Sequence, residues 1–137
     1  MAYAARRVEY FYTTVTGASN EAYELLTHLA DLGVNLVAMN SMPLGPESVQ
    51  LTLFPEDTLK LQSAARNGNL RLDGPHTAVL VQGDDEVGAI ARLHHRLGAA
   101  RVNVYATSGV TDDKGMFGYI LFMRPEDADR AVQALRE

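Results

Sequence analysis

The residues best suited to bind a ligand form a loop between a predicted strand and a predicted helix, Val81 to Ala91. Asp84, Asp85 and Glu86 stand in this loop, and any of these carboxylates could receive an α-ammonium group. The first turn of a helix has unpaired backbone N–H groups and favours an anion such as an α-carboxylate. Gly88 has no Cβ, so a ligand can approach the backbone closely. The loop predicts a site for a small zwitterion.

The same loop also has a purely structural interpretation. Asp85 is typical of a residue that caps a helix, and Gly88 would then only let the helix pack closely on the sheet. The loop by itself leaves both interpretations open.

A second stretch, Lys114 to Phe122, has nearly the letters of the strand with which RNA-recognition domains stack bases. Phe117 and Tyr119 are two residues apart and would share one face of a strand. Lys114 has the opposite parity. The first strand of an RNA-recognition domain should present another aromatic, but the corresponding predicted strand here, Ala78 to Val81, contains none. We therefore interpret both aromatics as ordinary strand residues and keep single-stranded RNA binding as an alternative.

The histidines and the motif content indicate neither catalysis nor a metal centre. His94 and His95 are adjacent, so on a helix they point about 100° apart and cannot chelate one ion. Glu24 and His28 have i, i+4 spacing but no evident third ligand. The chain contains no G-x-S-x-G, P-loop or H-E-x-x-H motif. We expect a protein that is not an enzyme and that has no cofactor and no metal.

Composition narrows the protein class further. The 137 residues are 47% hydrophobic, which suits one packed domain or two very small ones. The formal charge of -5 disfavours nucleic-acid binding, which depends on neutralising phosphates. There is no cysteine, no run of 18 apolar residues and no recognisable signal peptide. These features predict a cytoplasmic protein with neither a membrane nor a nucleic acid as partner.

An internal repeat organises the chain. Val34–Ala38 matches Val102–Ala106, a shift of 102 − 34 = 68, and Leu25 falls on Leu93 at the same shift. Self-similarity at a fixed spacing indicates a duplicated structural unit. The units are predicted to span residues 6–73 and 74–137.

Each copy shows the order β-α-β-β-α-β of a ferredoxin-like unit, with the last strand visible only in the first copy. The fold class is therefore α+β, with antiparallel sheets and the helices on one face. In the first copy we predict strands over 8–15, 35–40, 49–53 and 69–72, a helix over 22–29, and a helix that starts at Pro55 and ends at Asn67-Gly68. In the second copy we predict strands over 77–81, 102–106 and 116–123 and a turn over 111–115. One predicted helix has the face Val87, Ile90, His94 and Leu97. The other starts at Pro125 and has the stripe Ala128, Ala131, Val132 and Leu135.

On these residues the chain, from about Arg6 to Glu137, resembles a pair of ACT domains, small regulatory units that bind amino acids beside metabolic enzymes. In the second copy the match comprises the loop with Gly88 at the helix start, followed by Val102-Asn103-Val104. In the first copy Val34-Asn35-Leu36 matches, whereas Asn20 stands where the family has Gly.

The resemblance implies ligand sites where two such units meet, because in relatives the strand-to-helix loop of one unit faces the second strand of its neighbour. One site would combine Asn35 with the loop residues Asp84, Asp85, Glu86, Val87, Gly88 and Ala89. A second would combine Asn103 with residues 17–21, including Asn20. Asn offers donors and acceptors for a carboxylate or a side chain.

The function we expect is a non-catalytic regulatory module for a free amino acid or a similar small metabolite, with a metabolic enzyme as a possible partner. The second copy shows no fourth strand, so an exposed sheet edge is expected, and pairing of that edge predicts a homodimer. The alternatives are single-stranded RNA binding and a structural or partner-binding subunit without a ligand.

Overall fold

The computed structural model describes residues 3–16 and 20–137. The chain divides into two compact units: Glu9–His76, called the first unit below, and Met1–Val8 with Thr77–Glu137, called the second unit. The elements, in chain order, are β1 (Ala4–Thr16), α1 (Glu21–Asp31), β2 (Leu36–Pro43), β3 (Ser48–Pro55), α2 (Thr58–Asn67), β4 (Asp73–Asp84), α3 (Ala89–Ala99), β5 (Ala106–Thr111), β6 (Met116–Phe122) and α4 (Pro125–Arg136).

The first unit is an antiparallel sheet with two helices on one face. Its strands are hydrogen-bonded in the order β2-β3-β1. Residues of one parity on β1 and β3 form the buried core together with one residue of α1 and two of α2, because alternate residues of a strand share a face. The buried members are Phe11, Val15, Leu29, Val34, Leu51, Leu53, Leu61 and Ala64.

The second unit repeats this plan with β4, β6 and β5 hydrogen-bonded in that order, again antiparallel. Leu93 and Leu97 of α3 are buried against the sheet. On α4, the predicted stripe is confirmed by the burial of Ala128, Ala131 and Leu135, and Pro125 is at the helix start as predicted. Together the two units confirm the predicted fold class.

The second unit takes its remaining strand from the beginning of the chain. Tyr3 and Ala5 are buried in its core. The Tyr3 amide donates to the carbonyl oxygen of Leu135 at 3.1 Å, and Arg136 Nε donates to the Ala5 carbonyl at 2.9 Å. The Arg96 guanidinium lies 5.1 Å from the centre of the Tyr3 ring. The expectation of an unfilled strand position in this copy is therefore wrong.

The two units exchange short strand segments across the predicted boundary. The predicted ranges 6–73 and 74–137 differ from the compact units because Ala4–Val8 of β1 belongs to the second unit and Asp73–His76 of β4 to the first. The missing strand that suggested a homodimer is supplied by the same chain. The homodimer stays a prediction, but an unpaired strand edge in the second unit no longer supports it.

Two local predictions for the first unit are wrong for backbone reasons. Residues 69–72 form no strand, and Asn69 has a φ of 55°, outside the extended region. Pro55 ends β3 and does not open α2. That helix begins at Thr58 because Asp57 caps it, its carboxylate accepting the Lys60 amide at 3.2 Å.

The second strand of the second unit lies further along the chain than predicted, at 106–111 and not at 102–106. Arg101 has a φ of 59°, and the Val102 amide still donates to the Leu97 carbonyl at 3.0 Å. Arg101 and Val102 therefore belong to the turn that ends α3, and β5 begins only at Ala106.

The predicted face of α3 is also wrong in part. Leu97 is buried, but Val87 is fully exposed and His94 is exposed, and the buried residues are Ala89, Leu93 and Leu97. The helix begins only at Ala89, so Val87 precedes it and cannot belong to its face.

The two hairpins have the same register at the predicted shift. In the first unit Ser41 pairs with Leu51, and in the second Gly109 pairs with Tyr119. The differences are 109 − 41 = 68 and 119 − 51 = 68. The duplicated framework is therefore preserved in the pairing of the strands as well as in the sequence.

Candidate functional site

A cavity of about 300 Å³ lies in the second unit, between the start of α3, the C-terminal end of β5 and the N-terminal part of β6. A volume near 300 Å³ is at the small end of the range for ligand pockets. All of its lining residues belong to this unit: Asp85, Glu86, Ala89, Ile90, Gly109, Val110, Thr111, Phe117, Gly118 and Tyr119.

Buried residues form the rigid side of the cavity. Phe117 is 5% exposed, and its ring meets the edge of the Tyr3 ring with centroids 6.1 Å apart. The Tyr3 hydroxyl donates to the carbonyl oxygen of Ala89 at 3.3 Å. The N-terminal segment of the chain thereby holds the first turn of α3 against the sheet.

Tyr119 forms a second wall. Its hydroxyl lies 2.9 Å from His94 Nε2, and the two rings meet edge to face with centroids 5.7 Å apart. The ring also lies over Gly109 on the paired strand, where a Cβ would fall 2.4 Å from Tyr119 Cδ1. The absence of a side chain at Gly109 and the bond to His94 together fix where this wall stands.

The β5–β6 turn positions the strand-to-helix loop. The Asp85 amide donates to the carbonyl oxygen of Gly115 at 2.8 Å. Within the turn, the Asp112 carboxylate accepts the amides of Met116 at 3.0 Å and Lys114 at 2.8 Å. These two bonds, with Met116 contributing most, lower the pKa of Asp112 below its ordinary value because they favour the charged form.

The first turn of α3 has no side-chain cap. Gly88 occupies the cap position with a φ of 83°, a left-handed conformation that favours glycine. Arg92 reaches back to the loop, with its guanidinium 3.3 Å from the Glu86 carboxylate and 3.3 Å from the Val87 carbonyl oxygen. Glu86 is therefore paired, and an anion can approach the Ile90 amide of the first turn without competing with a capping side chain.

The predicted site residues have different placements. Asp85, Glu86 and Ala89 line the cavity. Asp84, the last residue of β4, pairs with Met116 and does not line the cavity, and neither do the loop residue Val87 and the cap residue Gly88.

The three asparagines lie apart from the cavity lining. Asn103 is exposed in the segment after the other end of α3. In the first unit, Asn35 Nδ2 donates to the Glu56 carboxylate at 3.0 Å, and Asn20 is at the start of α1 without a side-chain cap bond. Residues 17–19 lie outside the described residues. The roles of the three asparagines as ligand residues stay a prediction.

Sequence reasoning missed the β5 side of the cavity. Gly109, Val110 and Thr111 fell outside the strand predicted at 102–106, and Ile90 was assigned to a buried helix face. The repeat held the signal for the strand: β2 runs from Leu36 to Pro43, and a shift of 68 places its counterpart at 104–111.

Base stacking by the strand aromatics is excluded by their surroundings. Phe117 is buried in the core, and Tyr119 packs against the same core on the face that the helices cover. A base cannot reach the faces of both rings there. The single-stranded RNA alternative loses its only proposed contact residues.

Within the part of the chain that the structure describes, neither a metal-binding cluster nor a membrane-spanning helix is present. Among residues 3–16 and 20–137, no three His, Asp or Glu side chains lie close enough together to hold a metal ion. None of the helices in those ranges is long and apolar enough to cross a membrane.

No protein-family model and no curated protein matches the sequence. Solved structures do match over nearly the whole chain. Protein BT0572 from Bacteroides thetaiotaomicron has a TM-score of 0.76 at 16% identity, covering 97% of this chain and 88% of that one. The regulatory subunit of aspartate kinase from Thermus thermophilus has a TM-score of 0.67 at 13% identity, covering 98% of this chain and 95% of that one. The fold is ACT-like.

A third match is to part of a larger enzyme. E. coli aspartokinase III, in complex with lysine and aspartate, has a TM-score of 0.56 at 23% identity, covering 98% of this chain and 32% of that one. At these identities the similarity establishes the ACT-like fold and not the ligand or the partner.

Proposed function

We propose that this protein is a non-catalytic regulatory module that binds one free amino acid or a similar small metabolite in the cavity at the start of α3. The observation that carries the proposal is the position of the cavity, between an uncapped helix start and the free carboxylate of Asp85. Structures with the same fold include regulatory subunits of aspartate kinase and an aspartokinase bound to lysine and aspartate, which supports the same class of function.

Binding would use two polar contacts at opposite ends of the zwitterion. The α-carboxylate meets the Ile90 amide in the first turn of α3, where the helix dipole favours an anion. The α-ammonium meets the Asp85 carboxylate, since Glu86 is already paired with Arg92. Asp85 has no such partner among the described residues.

Regulation would follow because the cavity joins three elements. A ligand in it touches the loop before α3, the helix itself and the β5–β6 hairpin at once. It therefore favours the arrangement in which those elements are together over any arrangement in which they separate. A metabolic enzyme that contacts the unit would respond to that shift. The enzyme, the homodimer and the cytoplasmic location are predictions that accompany this proposal.

A thermal-shift panel of the twenty amino acids tests the proposal. One or a few should stabilise the protein, since a ligand at 100 times its Kd adds about 2.7 kcal/mol to the free energy of unfolding. Asp85→Asn should weaken the binding of those ligands by about tenfold or more, because it removes one charge-assisted hydrogen bond. Asp113→Asn, which changes an exposed carboxylate outside the cavity, is the matched control and should bind as the wild type does.

Two results would contradict the proposal. A panel with no stabilising amino acid favours the subunit that binds a partner without a ligand. Equal loss of affinity in Asp85→Asn and Asp113→Asn shows that the ligand does not use the carboxylate at the cavity.

A further inference from the structure

We infer that the cavity selects an amino acid with an uncharged, apolar side chain, and that Tyr119 sets the upper limit on its size. The inference rests on the proposed function and adds the class of ligand. The class of ligand is inferred from the charge and polarity of the residues that line the cavity.

The charges around the cavity are all at one end. Asp85 and Glu86 are the only ionisable lining residues besides Tyr119, and Arg92 pairs with Glu86. No arginine, lysine or histidine is among the residues that line it. An acidic ligand side chain would find no cation, and it would meet two carboxylates of its own sign.

The rest of the lining is apolar where it is enclosed. Ala89 and Phe117 are both buried, and Ile90, which is exposed, also lines the cavity. While Asp85 binds the α-ammonium, a basic side chain would find only Glu86, which is already paired with Arg92, so its charge would be desolvated without a free partner. The hydroxyls are engaged or peripheral, because Tyr119 bonds to His94 and Thr111 is exposed. An aliphatic side chain matches this surface best.

The size limit follows from how Tyr119 is held. Its ring cannot move towards β5 without contacting the backbone at Gly109, and its hydroxyl is bonded to His94 on α3. His94 is exposed and does not line the cavity, so it acts as a positioning residue for the wall. With that wall fixed and a cavity of only about 300 Å³, at the small end of the range for ligand pockets, we expect a side chain of the size of valine, leucine or methionine.

Titration calorimetry with valine, leucine, methionine, phenylalanine, tryptophan, lysine, aspartate and glutamate tests the inference. Wild-type protein should bind at least one of the three aliphatic ligands at least tenfold more tightly than any charged one. Tyr119→Ala should change the ratio of tryptophan to leucine affinity by at least tenfold in favour of tryptophan. His94→Ala should change that ratio in the same direction but less, and His95→Ala should leave it unchanged.

A second substitution keeps the test usable if Tyr119→Ala does not fold. Gly109→Ala introduces a Cβ that must displace the Tyr119 ring, so it should alter the same ratio. Gly98→Ala, on α3 with nothing within 4 Å of the added Cβ, is its control. A change in the ratio that is shared by Gly98→Ala would count against Tyr119 as the wall.

The outcomes separate the inference from the function beneath it. Tightest binding of lysine, aspartate or glutamate overturns the selectivity and leaves amino-acid binding standing. Unchanged ratios in both Tyr119→Ala and Gly109→Ala overturn the role of Tyr119. Binding of none of the twenty amino acids overturns both the inference and the proposed function.

Discussion

The two units share their strand register and differ in the side chains at matching positions under the first helix of each unit. In the first unit Leu51 is fully buried, and Leu26 packs against the same core. Sixty-eight residues later, as 94 − 26 = 68 and 119 − 51 = 68, stand His94 and Tyr119, which bond to each other beside the cavity. The same framework carries two leucines of one hydrophobic core in the first unit and a polar pair beside a cavity in the second. This polar pair beside the cavity is one reason why we propose the second unit for ligand binding.

The residues that precede the first helix of each unit, α1 and α3, also differ. In the first unit Asn20 precedes α1 with a φ of -85°, and the Glu21 carboxylate accepts the Thr16 amide at 2.8 Å. In the second unit Gly88 precedes α3 in the left-handed conformation and carries no side chain. In the first copy a carboxylate of the first helical turn thus bonds the end of β1, whereas in the second copy the residue before the helix has no side chain to occupy that position.

The largest expected effect concerns the strand that the second unit takes from the chain start. Tyr3→Ala should lower the free energy of unfolding by about 3–5 kcal/mol, the usual cost of deleting a buried aromatic side chain. Tyr23→Ala, which removes a ring that is 71% exposed on α1, should change it by less than about 0.5 kcal/mol. Urea denaturation measures both. Equal stabilities for the two variants would show that Tyr3 is not part of the second core.

The next effect separates the two repeated positions. Leu51→Ala should cost about 2–5 kcal/mol, because it leaves a cavity in a fully buried site. Tyr119→Ala should cost less than about 2 kcal/mol, because the ring is only partly buried and already borders a cavity. The same denaturation experiment compares them, and a larger cost for Tyr119 would reverse the assignment of core and site.

A smaller effect tests the helix starts. Gly88→Ala should destabilise by about 1–2 kcal/mol, since an L-residue in the left-handed region is strained, and Gly88→Asn should cost less. Asn20→Ala should cost under about 0.5 kcal/mol, because Asn20 makes no side-chain cap bond and has a negative φ. Thermal denaturation of the three variants measures this, and an Asn20 effect as large as that of Gly88→Ala would contradict the account.

The smallest effect is on the turn that holds Asp85. The pKa of Asp112 is lowered on folding, so its ionised form stabilises the protein above the ordinary Asp pKa of about 4. That contribution is lost as the pH falls through the lowered value. Asp112→Asn should therefore be slightly less stable at pH 7 and flatter in stability between about pH 5 and pH 3. Identical acid titrations of stability for the two proteins would show that the turn bonds contribute nothing.

Much of the fold followed from the sequence because it depends on local patterns. The repeat, the helix stripe after Pro125 and the end of α2 at Asn67-Gly68 are set by spacing and by turn residues. The origin of the last strand of the second unit did not follow. Tyr3 and Ala5 are far from that unit in sequence, and only tertiary packing brings them into its core.

The site followed less completely. The loop around Asp85 could be singled out because acids and glycine before a helix carry a recognisable signal. The opposite wall could not, because Gly109 and Tyr119 acquire their roles only through strand pairing. Asn103 was selected for its place in a motif, and the backbone at Arg101 and Val102 keeps it in the segment between α3 and β5.

Backbone amide chemical shifts measured by NMR during a titration with leucine, valine or methionine test the central claim most directly. The account predicts that the largest shifts cluster at Asp85, Ile90, Gly109, Thr111 and Tyr119 and that Leu26 and Leu51 do not respond. Shifts centred on the first unit, or no saturable shifts with any of the three, would contradict the assignment of the ligand to the cavity at the start of α3.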